Sequence, residues 1–74
     1  MERGPLIELL QNMVGTDKEL TAVIWGEEHP MEIRNVEAVD ELKSAQGIRI
    51  TTKQNYIWLD SSHVSAAWQA RSDL

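Results

Sequence analysis

From Gly47 to Lys53 the chain alternates without a break. Ile48, Ile50 and Thr52 fall on one side, and Arg49, Thr51 and Lys53 on the other. A period of two is the mark of a half-buried strand. Gln54-Asn55 supplies turn residues, with Asn55 suited to a positive φ. Tyr56 to Asp60 then returns, with Ile57 and Leu59 inward and Tyr56, Trp58 and Asp60 outward. The segment predicts a tight antiparallel hairpin with one aliphatic face and one face of aromatic and basic side chains.

The N-terminal stretch has a different period. Leu6, Leu9, Leu10 and Met13 fall at i, i+3, i+4 and i+7, and Ile7 and Val14 widen the stripe. Pro5 suits a first helical turn, and Gly15 is placed for a left-handed cap. A helix over about 5–14 is expected. It is too short to stand alone, so its stripe should dock on the protein's own core. Glu8, Gln11 and Asn12 interrupt the apolar run, so it does not read as a signal peptide. No stretch approaches the roughly 20 apolar residues that span a bilayer, so no membrane partner is expected.

Leu20 to Trp25 is rich in β-branched and large apolar residues, and Gly26 to Pro30 has turn chemistry. Met31 and Ile33 alternate with Glu32 and Arg34. At Asn35 the phase slips, and Val36 and Ala38 continue at even positions. One inserted residue bends a strand as a bulge does. Two readings stay open for residues 36–46: a bent strand running into a polar loop, or a helix capped by Asn35, carrying Val36, Val39, Leu42 and Ala45, and stopped by Gly47. Asp60-Ser61-Ser62-His63 breaks the strand before it. Val64 to Gln69 reads as a last short strand or a helical turn, and Arg71 to Leu74 as a loose tail.

Seventy-four residues make a single domain, 1–74, with one thin core. The expected fold is mainly β, a small five-stranded barrel over about 19–70 with an N-terminal α-helix. Lys and Arg number 7 against 12 Asp and Glu, a formal net charge of −5. That balance opposes a generic grip on nucleic acid or anionic lipid. There is no cysteine, which excludes disulfides, zinc-thiolate sites and thiol chemistry and points to a cytoplasmic setting.

The segment LTAVIWGEEHPMEIRNVEAVDE resembles the stretch of an Sm domain in which a turn glycine precedes a long bent second strand ending near an acidic residue; Gly26 and Asp40 fill those places. NYIWLDSSHVSAAW resembles the close of such a domain, a strand, a one-turn helix and a last strand. The resemblance implies a small SH3-like or Sm-like barrel crossed by the N-terminal helix, and with it an oligomeric RNA binder. Sm strands bend at a glycine that this sequence lacks, and Ser61-Ser62-His63 stands where the bacterial Sm-like RNA chaperone carries a Tyr-Lys-His triplet. No RNA-binding residue is therefore carried over.

Candidate chemistry is sparse. Asp60-Ser61-Ser62-His63 holds the residue types of a hydrolytic triad, but consecutive side chains diverge, and triads are assembled from separate segments. Turn capping is the expected role. Glu27-Glu28-His29 reads as a solvated hairpin tip rather than a zinc site, which needs more ligands than this turn supplies. The glycines are scattered at turns and form no phosphate loop. We expect no enzyme, cofactor or metal. Three tryptophans and one tyrosine without any phenylalanine favour rings with a polar handle, which are enriched at interfaces. The candidate partner-binding residues are Trp25, Tyr56, Trp58, Arg49 and Lys53. Whether Trp25 and Trp68 lie in the core or at the surface stays open. The expected function is a non-enzymatic interaction module that binds a protein partner or itself through this aromatic face or an open strand edge. The alternative is an Sm-like oligomeric RNA-binding protein.

Overall fold

The structure is a computed structural model that describes residues 1–71. It opens with helix α1 (Arg3–Gln11). The strands follow as β1 (Glu19–Ile24), β2 (Met31–Arg34), β3 (Val36–Glu41), β4 (Gly47–Thr52), β5 (Tyr56–Asp60) and β6 (Val64–Trp68). A single 3-10 turn, Ser61–His63, joins β5 to β6. The strands form two three-stranded antiparallel sheets, ordered β2-β1-β6 and β3-β4-β5. The mainly β class with one N-terminal helix is as expected. Gln69 to Arg71 lie outside any element, and the rest of the expected tail, 72–74, lies outside the described residues.

Two expectations need correction. Among the described residues six strands replace five, because Asn35 takes a left-handed backbone (φ 55) and breaks the long bent strand into β2 and β3. Asparagine tolerates that conformation better than most residues. Nor does a closed barrel form, since no ladder joins β5 to β6 among the described residues. The 3-10 turn explains why. Ser61 donates its N–H to the Gln46 carbonyl (2.8 Å) and its hydroxyl to Gln46 Oε1 (2.7 Å). The chain is thus held on the β4 side as it leaves β5. It then crosses to the other sheet and pairs with β1.

Of the two readings for 36–46, the strand is the one observed, followed by a loop over 42–46. The bent strand slips phase twice. Ile33 and Val36 are both buried, which is the slip at Asn35. A second irregularity lies between Val36 and Ala38, leaving Glu37 without an opposite residue on β4. It returns Val39 to the inner column opposite Ile50, and it turns Ala38 outward, not inward. Both halves of the strand therefore line the same core.

That core contains Leu6, Ile7, Leu10 and Met13 from the helix and the turn after it, together with Leu20, Ala22, Ile33, Val36, Ile48, Ile50, Leu59 and Val64. The helix starts two residues earlier than expected and ends three earlier. Its last apolar positions continue in a tighter turn, where the Met13 N–H reaches the Leu10 carbonyl and Gly15 is left-handed (φ 76). Leu9 is half-buried and Val14 exposed, so the docked stripe is narrower than expected. The Arg3 guanidinium ties the helix start to the β3–β4 loop. It donates to the Ser44 carbonyl (2.6 Å), lies 3.3 Å from that of Leu42, and meets Glu41 at 3.6 Å.

Candidate interaction surface

The hairpin β4–β5 places the aromatic face. Its register pairs Arg49 with Trp58, Thr51 with Tyr56, and Gly47 with Asp60. On the far side of β4, Asp40 lies opposite Arg49 and Ala38 opposite Thr51. The outer face of this sheet thus carries the rows Asp40–Arg49–Trp58 and Ala38–Thr51–Tyr56. Tyr56 and Trp58 are each 64% exposed, and their ring centroids are 6.2 Å apart with planes tilted by 39°. Such a spacing falls within the range of favourable aromatic pairs. Arg49 Nη2 donates to Asp40 Oδ2 at 3.1 Å. An exposed pair of this kind adds roughly 0–1 kcal/mol at most. Its main effect is to neutralise the cation beside Trp58.

Two backbone bonds fix the hydrogen-bonding phase of the hairpin. Thr52 donates its N–H to the Asn55 carbonyl (2.9 Å), and Ser61 to that of Gln46 (2.8 Å). In an antiparallel ladder bonded and non-bonded pairs alternate. Ile50–Ile57 and Ile48–Leu59 are therefore bonded pairs. Thr51–Tyr56, Arg49–Trp58 and Gly47–Asp60 are non-bonded pairs, whose side chains come closer together. A third bond agrees: with Thr52 turned toward β5, the Val36 carbonyl must point away from β4, and there it accepts the Gly15 N–H (3.2 Å). The backbone of Tyr56 and Trp58 thus points to the side of β5 that carries no partner strand among the described residues.

The turn is built differently from the expectation. Asn55 has no positive φ. Instead the Thr52 hydroxyl oxygen accepts the N–H groups of Gln54 (3.1 Å) and Asn55 (3.0 Å) and lies 2.9 Å from Asn55 Oδ1. One side chain organises the loop that sets the position of both rings.

The candidate residues do not all gather. Arg49, Tyr56 and Trp58 adjoin. Lys53 sits in the turn beyond β4 and lines a groove of about 480 Å³ with Thr16, Asp17, Asn35 and Glu37. Trp25 belongs to the other sheet, just past β1, where Gly26 is left-handed (φ 89) and the Glu27 N–H closes the turn on Ile24. It is 80% exposed, and Trp68 on β6 is 50% exposed, so both lie at the surface. The sequence marks Asp40 only as the acid at the end of the bent strand and does not place it on this face, because the Glu37 irregularity, which aligns it with Arg49, leaves no apolar signal.

Asp60 to His63 form the capping turn. Asp60 Oδ1 accepts the Ser62 hydroxyl (2.6 Å) and the Ser62 N–H (2.9 Å). These bonds, the hydroxyl first, hold the Asp60 carboxyl below its ordinary 3.8, with a smaller contribution from His63. Glu27, Glu28 and His29 are all exposed in a turn. No group of three or more His, Asp or Glu among the described residues is placed to hold a metal ion. No helix among them is long and apolar enough to cross a membrane.

Comparison of the chain with protein-family models, with curated proteins and with solved structures finds no match.

Proposed function

We propose that this chain is a non-enzymatic interaction module that binds a protein partner, or another copy of itself, through β5. The observation that carries the reading is that the exposed Tyr56–Trp58 pair lies on an edge strand whose backbone at the same residues is turned toward solvent. An extended chain added to such an edge gains main-chain hydrogen bonds, and the rings offer side-chain anchors. The Arg49–Asp40 pair leaves the centre of the face without net charge, which suits a protein partner better than a phosphate backbone. At the level of architecture we read the bent strand β2–β3, the 3-10 turn before β6 and the helix over the core as an open member of the SH3-like and Sm-like group of small barrels. Affinity capture and light scattering, each run on the wild type and on the Tyr56→Ala/Trp58→Ala double variant, test the reading. It requires a captured protein or a self-association that disappears with the two rings. If neither exists, the reading falls.

A further inference from the structure

Edge strands carry unpaired backbone groups that invite pairing, and folded proteins guard them with charge, bulges or covering segments. Three of the four edges here are guarded. The β2 edge carries Glu32 and Arg34. The β3 edge carries Glu37, Asp40 and Glu41, and its first carbonyl, that of Val36, is occupied by the Gly15 N–H. The β6 edge is irregular opposite Val23 and Ile24. Its Val64 carbonyl accepts a hydrogen bond from the Met1 nitrogen (2.7 Å), and the Ser65 hydroxyl folds back on the Val23 carbonyl (3.2 Å). The β5 edge carries one charge, Asp60 at its end, and no bulge or covering segment among the described residues: its residues are Tyr-Ile-Trp-Leu-Asp, paired in unbroken register with β4.

We propose that the β5 edge pairs with the β5 edge of a second copy of this chain, antiparallel, about a two-fold axis at Trp58. This rests on the reading of β5 as the interaction strand and names its occupant. The phase established above makes the register self-complementary. The Trp58 N–H of each copy donates to the Trp58 carbonyl of the other, and each Asp60 N–H donates to the Tyr56 carbonyl of the other. On the outer face Trp58 meets Trp58 of the second copy, and Tyr56 meets Asp60. On the inner face Ile57, only half-buried within one copy, meets Leu59 of the second. Apolar side chains thus face one another on both surfaces of the joined sheet, which is the unit of cross-strand stabilisation.

Charge permits this pairing despite the net −5 of each copy. Asp60 is the one charged residue of β5. In the register its two copies lie four strand positions apart, roughly 13 Å, beyond the screening length of about 8 Å at physiological salt. The isologous contact also closes on itself, since the remaining edges are guarded, so the assembly stops at two copies.

Light scattering across a dilution series, with amide exchange by NMR, tests the pairing. We expect a dimer mass at high concentration. The Tyr56, Trp58 and Asp60 amides should be protected in the dimer and exchange freely on dilution, while the Ile57 and Leu59 amides stay protected throughout. Trp58→Lys places like charges opposite each other at the axis and should weaken dimerisation by about tenfold or more. Trp58→Pro should do the same by removing the central donor. Its N–H points away from β4, so the intramolecular ladder survives, and an unchanged circular dichroism spectrum checks that the fold does. A monomer at every concentration would overturn the proposal, while ring-dependent capture of another protein would still support β5 as the interaction strand. A dimer indifferent to both variants would also overturn it, as would a larger assembly with concentration-dependent protection in β6.

Discussion

Replacing Thr52 with valine tests the reading of the hairpin most directly. Thr52 ends β4 and is 7% exposed. Its hydroxyl oxygen accepts the N–H groups of Gln54 and Asn55, and its proton goes to Asn55 Oδ1 or to the Asn55 carbonyl. Valine keeps the shape of the side chain and removes the oxygen. A typical net hydrogen bond contributes about 1 kcal/mol. The loop residues are exposed, so water recovers part of what is lost there, and the expected cost is about 1–2 kcal/mol. A domain of this size loses roughly 4–8 °C of Tm for each kcal/mol, so thermal unfolding followed by circular dichroism resolves the change. Thr52→Ser is the control. It keeps the oxygen and loses a buried methyl worth about 0.8 kcal/mol, so stability alone does not separate the two variants. Amide exchange does: the Gln54 and Asn55 amides should exchange faster in Thr52→Val and stay near wild type in Thr52→Ser. If Thr52→Val stays within about 0.5 kcal/mol of wild type, the spread of an ordinary surface substitution, or if both loop amides keep their protection, the hydroxyl does not hold the turn.

Further expectations concern the core, the bend, the close approach at Gly47 and acid. Leu10→Ala, at a fully buried site under the sheets, should cost about 2–5 kcal/mol in urea unfolding, and a loss under about 1 kcal/mol would mean that the helix is not docked. Asn35→Val should cost about 1–2 kcal/mol because a β-branched residue resists φ 55, whereas Asn35→Gly should be nearly neutral; equal costs would place the strain elsewhere. Gly47→Ala should cost about 1–3 kcal/mol, since its Cβ would come within 3.0 Å of Leu42 and closer still to Ser44 Oγ; unchanged stability would show that the loop yields. The Asp60 carboxyl is held below its ordinary 3.8, so the native state favours its charged form. Its stabilising contribution is complete above that ordinary value and is lost as pH falls through the depressed folded value. A carboxyl titration midpoint in the folded protein at or above 3.8 would refute the Ser62 cap.

Much of this fold is written in local alternation. Ile48, Ile50, Thr52, Ile57 and Leu59 sit where a period of two puts them, because a strand with one wet face must sort its side chains that way. The helix stripe and the break at Asp60 are local for the same reason. The bend was legible at Asn35, where the apolar residues Ile33 and Val36, on either side of Arg34-Asn35, mark the slip. It was not legible at Glu37, which is flanked by a small residue on an exposed edge strand. That second slip decides which acid faces Arg49. Closure was not legible either. Whether β6 pairs with β1 alone or also with β5 depends on contacts between distant segments and on the Ser61–Gln46 bonds, none of which leaves a periodic trace. For the same reason the sequence grouped Trp25 with Tyr56 and Trp58, although they lie on separate sheets.

The geometry of a strand couples two properties that are usually discussed apart. Along β5 the side chain alternates between the two faces, and the backbone donor and acceptor alternate between the two neighbours, with the same period. Every residue that points its side chain into the core therefore also bonds to β4, as Ile57 and Leu59 do. Every residue that points outward turns its N–H and carbonyl to the open edge, as Tyr56 and Trp58 do. If β5 is the interaction strand proposed above, folding and recognition fall on different residues of the same short strand. Changes at Tyr56 or Trp58 remove no ladder bond and open no cavity, so their effects on stability should be small beside their effects on association. The two bonds that fix the parity, Thr52–Asn55 and Ser61–Gln46, lie at opposite ends of the hairpin. A slip of one residue between them would turn both rings inward and point the free backbone of Ile57 and Leu59 at solvent, reversing both assignments together.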